Sequence, residues 1–84
     1  KLLDEEVITP ETQVEVVRRE APALVGQTLG QADVRARTGC TVIAVERDGR
    51  TLTSVDADLR IENGDTLVVA GDDEAVDAFA GIAT

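Results

Sequence analysis

The sequence predicts a small α+β domain of βαβββα order, with a mixed or largely antiparallel sheet, a short helix after the first strand and a closing C-terminal helix. Three observations carry that expectation. The runs Thr41-Val42-Ile43-Ala44-Val45 and Thr66-Leu67-Val68-Val69-Ala70 are apolar and rich in β-branched residues over the length of a strand. Asp48-Gly49 and Asn63-Gly64 stand where strands must turn. Past Asp72 the apolar residues Ala75, Val76, Phe79, Ala80 and Ala83 recur at spacings of three and four, the period of a helix.

Taken in order, residues 1–12 hold no sustained period and are interrupted by Pro10, which reads as a linker from an upstream domain. Residues 13–20 place Val14 and Val16 on one face and Glu15 on the other, the alternation of a half-buried strand that ends before Pro22. An apolar turn through Leu24, Val25 and Gly26 leads to Thr28, which can cap a helix over residues 29–38 with Leu29, Ala32, Val34 and Ala36 as its core side. Gly39 is a natural left-handed stop. Residues 41–47 form the central strand, Asp48-Gly49 turns it, and residues 50–55 return antiparallel. Residues 56–62, with Leu59 and Ile61 two apart, suit a short strand or an extended turn, and residues 66–71 form a second buried strand. Asp72, Asp73 and Glu74 put negative charge at the start of the last helix, residues 73–83, where its dipole favours it.

Composition narrows the function. Within 84 residues there is room for one small domain. Seventeen acidic against eight basic residues give a net charge of −9, a field that repels phosphate backbones and anionic lipid surfaces, so neither nucleic acid nor direct membrane insertion is expected. Phe79 is the single aromatic residue, which removes stacking platforms for bases. No apolar run reaches the roughly 18 residues of a membrane span, and the chain lacks a signal-peptide order at its start. Seven of the eight basic residues are arginine. Acidic excess with one lysine suits a protein working in concentrated salt, and a GC-rich genome produces the same bias.

Catalysis is not expected. There is no histidine, the one lysine is Lys1, and Cys40 has no base to activate it, so it reads as a small buried apolar residue. One cysteine forms no internal disulfide, and the chain reads as cytoplasmic. Asp56, Asp58, Glu62 and Asp65 could collect a hard cation, but their spacing fits no calcium loop and they read as a solvated acidic surface. The glycine turns join strands and match no phosphate-binding motif. Arg18 with Arg19, Arg35 with Arg37, and Arg47 are islands of positive charge that can fork onto an anionic ligand or pair with the chain's own carboxylates.

The series Val14-Glu15-Val16, Pro22 through Leu29, Gly39 through Gly49, Leu59, and Asn63 through Gly71 followed by a helix through Phe79 resembles the TrkA-C domain, the C-terminal lobe of the regulator of potassium conductance (RCK) family. The resemblance covers about residues 13–82 and assigns residues 13–84 to one regulatory domain. It implies a cytosolic, homodimerising module of a potassium or other cation transporter or channel, linked to the membrane-embedded subunit through its parent protein. It also implies a small regulatory ligand, in several members cyclic di-AMP held at the dimer interface. On that basis the ligand would meet Arg35, Arg37 and Arg47, free N–H groups near Val25 and Gly26, and the apolar side chains of Leu24 and Val25. Val14, Val16, Leu24 and Leu29 are the dimer contacts expected. A domain that only joins subunits and binds nothing small is the alternative.

Overall fold

The structure is a computed structural model and describes residues 13–84; the linker expected over residues 1–12 lies outside the described residues. Four strands form one sheet: β1 (Glu15–Glu20), β2 (Thr41–Arg47), β3 (Arg50–Leu52) and β4 (Thr66–Gly71), in the spatial order β1-β4-β2-β3. Every pairing is antiparallel, which resolves the sheet type left open by the sequence. The helices α1 (Leu29–Ala32), α2 (Val34–Thr38) and α3 (Asp73–Ala83), with a 3₁₀ turn at Pro22–Leu24, complete the βαβββα order.

One face of the sheet is covered. Val17, Val45, Leu52, Leu67 and Val69 point to it and pack with Leu24, Ile61, Phe79, Ala75 and Ala83. Phe79 is fully buried, and Ala75 and Ala83, one turn to either side, share its face. Asp72 caps α3 by accepting from the Ala75 N–H at 2.8 Å, and Asp73 and Glu74 fill the first turn as expected.

The structure departs from expectation at several places. The first strand starts at Glu15, and its inward residue is Val17; Val14 and Val16 stay 58% and 61% exposed. Two adjacent valines leave the alternation ambiguous, and pairing with β4 selects Val17 by setting it beside Val69. The helix expected over residues 29–38 is two helices, because Asp33 takes a left-handed conformation (φ 51°, ψ 48°) and ends α1 while opening α2. Thr28 starts α1 through a full capping box with Gln31, and Ala36 is exposed. In β2 a bulge between Val42 and Ala44 turns Ile43 outward, 42% exposed, so this strand is central in the sheet yet open on one face. The return strand ends at Leu52, and of the two forms the sequence left open for residues 56–62 the structure takes the extended turn, with a single bridge joining Arg60 to Thr28.

Candidate functional site

Residues 56–61 are held by backbone bonds to the segment that leads into α1. The N–H groups of Leu29 and Gly30 donate to the carbonyls of Leu59 and Ala57 at 2.8 and 3.0 Å, and that of Ile61 donates to Gln27 at 2.8 Å. The approach is tight: a Cβ on Gly30 would come 3.2 Å from both the Cβ and the carbonyl oxygen of Ala57, so the loop would have to give by a few tenths of an ångström to admit one. This contact makes one wall of a groove of about 190 Å³, whose other walls are the α1–α2 turn and the start of β2. Leu29, Val34, Val42 and Val55 give it an apolar lining, while Asp33, Arg35, Thr41 and Asp56 stand exposed around it.

Of the residues expected to meet a ligand, Arg35 is the one that lines the groove. Leu24 is 2% exposed and belongs to the core, so it offers neither ligand nor partner a surface. The N–H groups near Gly26 are not free: Gly26 donates to Ile61 at 2.9 Å and Val25 to Pro22 at 3.4 Å, which satisfies the turn itself. Val25 is 39% exposed beside them. Arg37 reaches back to the Ala32 carbonyl at 3.2 Å and bridges the break between α1 and α2. Arg47 is engaged by Asp65, the Arg60 carbonyl and Glu62, so its charge is spent within the chain. Leu29, expected at a dimer contact, lines the groove.

Asp33, Thr41, Val42, Val55 and Ala57 were not singled out as site residues by sequence reasoning, and Asp56 was weighed only as a cation ligand. They are distant in the chain and meet only because the 26–30 segment takes residues 57–61 as its hydrogen-bonding neighbour. Cys40 is fully buried, and burial pushes its thiol up, which keeps it protonated and unreactive. Among the described residues no three metal-type ligands come together, and Asp65 of the acidic stretch is taken by Arg47. A second concavity, about 330 Å³, lies by the β2–β3 hairpin over Arg18, Glu46 and Arg50, with Arg18 and Glu46 already paired to each other. The first groove therefore combines apolar lining with an uncommitted guanidinium, which suits a flat ligand carrying a negative group.

The family model described as the TrkA-C domain matches residues 13–83. The chain belongs to the TrkA-C domain family. No match to a curated protein was found. Among solved structures, this TrkA-C domain is 29% identical to the GsuK RCK domain, with a TM-score of 0.72 over 82% of its own length and 16% of that chain. The potassium transport protein KtrA RCK C domain, described in complex with cyclic diadenosine monophosphate, has a TM-score of 0.71 at 24% identity, covering 93% of this chain and 91% of that one. The RCK_C domain dimer of S. agalactiae BusR, also with c-di-AMP, has a TM-score of 0.66 at 24% identity, covering 84% and 92%. These last two likenesses establish the fold. The chain spans a small part of the GsuK protein, and no helix among its described residues is long and apolar enough to cross a membrane.

Proposed function

We propose that this TrkA-C domain is a cytoplasmic, ligand-sensing and dimerising regulatory module of a potassium or other cation transport system, and that its groove beside Arg35 receives a nucleotide regulator. The observation that carries this reading is the pairing of an apolar groove with the Arg35 guanidinium, which has no ion-pair partner among the described residues. Family membership supports a regulatory module that acts by binding, and it supports the transport role. The c-di-AMP named with KtrA and BusR makes that dinucleotide the first ligand to try.

At about 190 Å³ the groove is smaller than the roughly 300 Å³ from which drug-sized ligands are enclosed. It takes one nucleotide half of a cyclic dinucleotide, base against Leu29 and Val42, phosphate toward Arg35, and leaves the other half projecting. The net charge of −9 opposes an anion at long range, so affinity is modest and local. Calorimetry and thermal shift with cyclic di-AMP test the reading. Wild-type chain should bind, and Arg35→Ala should lose about tenfold in affinity, as expected for one charge-assisted contact to phosphate. No heat and no shift at high micromolar ligand would leave a domain that only joins subunits.

A further inference from the structure

The concavity of about 330 Å³ lies where the β2–β3 hairpin meets the turn before β4. Strand register builds it. Val45, Leu52 and Leu67 face the core, so their chain neighbours Glu46, Thr51 and Thr66 point to the open face of the sheet, with Glu46 opposite Thr51 on one side and Thr66 on the other. Arg18 reaches Glu46 across β4 from β1. The hairpin turns on Asp48 and Gly49, whose φ angles of 52° and 77° close it in two residues and set Asp48 and Arg50 beside the same concavity. Gly49 and Gly64 line it with backbone alone.

Polar capacity of both signs is left over there. Arg18 donates through Nε and Nη2 to a single oxygen of Glu46, Oε1, so among the described residues Glu46 Oε2 has no donor and Arg18 Nη1 no acceptor. Among those residues the side chains of Asp48, Arg50, Thr51 and Thr66 make no hydrogen bond within the chain, and neither Asp48 nor Arg50 has an ion-pair partner. Two guanidiniums thus stand with two carboxylates, a locally neutral site on a chain of net charge −9. A simple anion there is opposed by Asp48 and Glu46, and a simple cation by Arg18 and Arg50. A molecule that carries both charges satisfies both halves. Phe79 is fully buried, so no aromatic side chain offers a base or a sugar ring a face to lie on. The volume falls within the range of small-molecule sites, which begins at about 300 Å³.

We propose that this hairpin corner is a second binding site, for a small zwitterion: an α-amino acid with a polar side chain. Arg50 and Arg18 Nη1 take its carboxylate, Asp48 and Glu46 Oε2 take its ammonium, and the hydroxyls of Thr51 and Thr66 meet its side chain. The site goes beyond the nucleotide reading and does not depend on it. It lies at the Arg47 end of β2, whereas Thr41, at the other end of that strand, lines the groove. Polar contacts open to water hold a ligand weakly, so binding is in the range of about 1–10 mM.

Amide chemical shifts of the whole isotope-labelled chain, followed during titration with L-glutamine to about 50 mM, test it. Gly49, Thr51, Gly64 and Thr66 should move together and saturate, while Gly30 and Val42 in the groove stay still. N-acetylglutamine, which lacks the ammonium, and glutamine amide, which lacks the carboxylate, should each bind at least about tenfold more weakly. Asp48→Asn removes one charge and keeps the left-handed preference of the turn, and Arg50→Ala removes the carboxylate fork from an exposed position. Each should weaken glutamine by about five- to tenfold, with melting curves to establish that the variant folds. Arg35→Ala should leave glutamine binding unchanged, so failure at this corner and failure of the groove are read separately. No saturable shift with glutamine, equal shifts with either derivative, or folded variants that bind as well as wild type would overturn the site.

Discussion

Arg47 and Asp65 are joined by two parallel hydrogen bonds, Nε to Oδ1 at 2.8 Å and Nη2 to Oδ2 at 2.7 Å. The same pair closes the loop before β4, since Arg47 also donates to the Arg60 carbonyl at 2.9 Å and Asp65 accepts from the Glu62 N–H at 2.8 Å. Asp65 is thereby 2% exposed and fully satisfied. Because Arg60 belongs to the same segment as Ala57, which walls the groove, this ion pair anchors that wall from behind.

Asp65→Asn should cost about 2–3 kcal/mol, the loss of a charge-assisted pair in a largely desolvated place. The sign with pH follows from Arg47, which holds the Asp65 carboxyl below its ordinary value. A depressed folded pKa means that the contribution is present in full above the unfolded value and is lost as pH falls through the folded one. Denaturation curves from pH 7 down to pH 2 should show the wild-type chain losing this increment below about pH 4. The Asn variant should show a flatter acid limb; parallel limbs in the two proteins would refute the pair's role.

Gly71→Ala should destabilise the fold by about 1–3 kcal/mol, the usual cost of overpacking. A Cβ at the end of β4 would lie 2.9 Å from both the Ala75 Cβ and the Cys40 Sγ, and both are buried with nowhere to retreat. Urea midpoints would show it, and the double variant with Cys40→Ala should recover part of the loss. An unchanged midpoint in Gly71→Ala would mean that the strand-to-helix corner is looser than it is drawn.

Stability should rise with potassium chloride from 0.1 to 1 M. Nine net negative charges repel one another in the compact state, and the screening length falls from about 10 Å to about 3 Å over that range. Each 1 kcal/mol recovered raises the melting midpoint of a domain this size by about 4–8 °C. A flat or falling midpoint in calorimetry would show that the surface ion pairs weakened by salt outweigh the relief.

Much of the fold was legible because local signals agreed: β-branched runs for β2 and β4, Asp48-Gly49 for the hairpin, and acids before a helical period for α3. The failures are places where pairing or backbone geometry decides. Nothing in the residue types of the 29–38 stretch announces that Asp33 turns left-handed, and Val16-Val17 fits either face until β4 sets the register. Of the groove's lining, the sequence marks Arg35 for a ligand, through its charge, and Leu29 for a dimer contact. The remaining walls depend on the 57–61 segment bonding to residues 26–30, a long-range contact without a local pattern.

Asp33 offers a test that separates backbone from charge. Its left-handed conformation favours Asn, Asp or Gly, and its carboxylate stands at the groove beside Arg35. Asp33→Asn keeps the backbone preference and removes the negative charge, so α1, α2 and the melting midpoint should be unchanged within about 0.5 kcal/mol. Affinity for cyclic di-AMP should rise about two- to threefold, the value of one exposed like charge some 6–8 Å from a phosphate in water. Asp33→Ala, which also loses the backbone preference, should lower stability by about 1 kcal/mol while making the same change in affinity. Titration calorimetry on the two variants decides it: if neither binds more tightly than wild type, the anion does not lie between Asp33 and Arg35, and the groove needs a ligand of different charge.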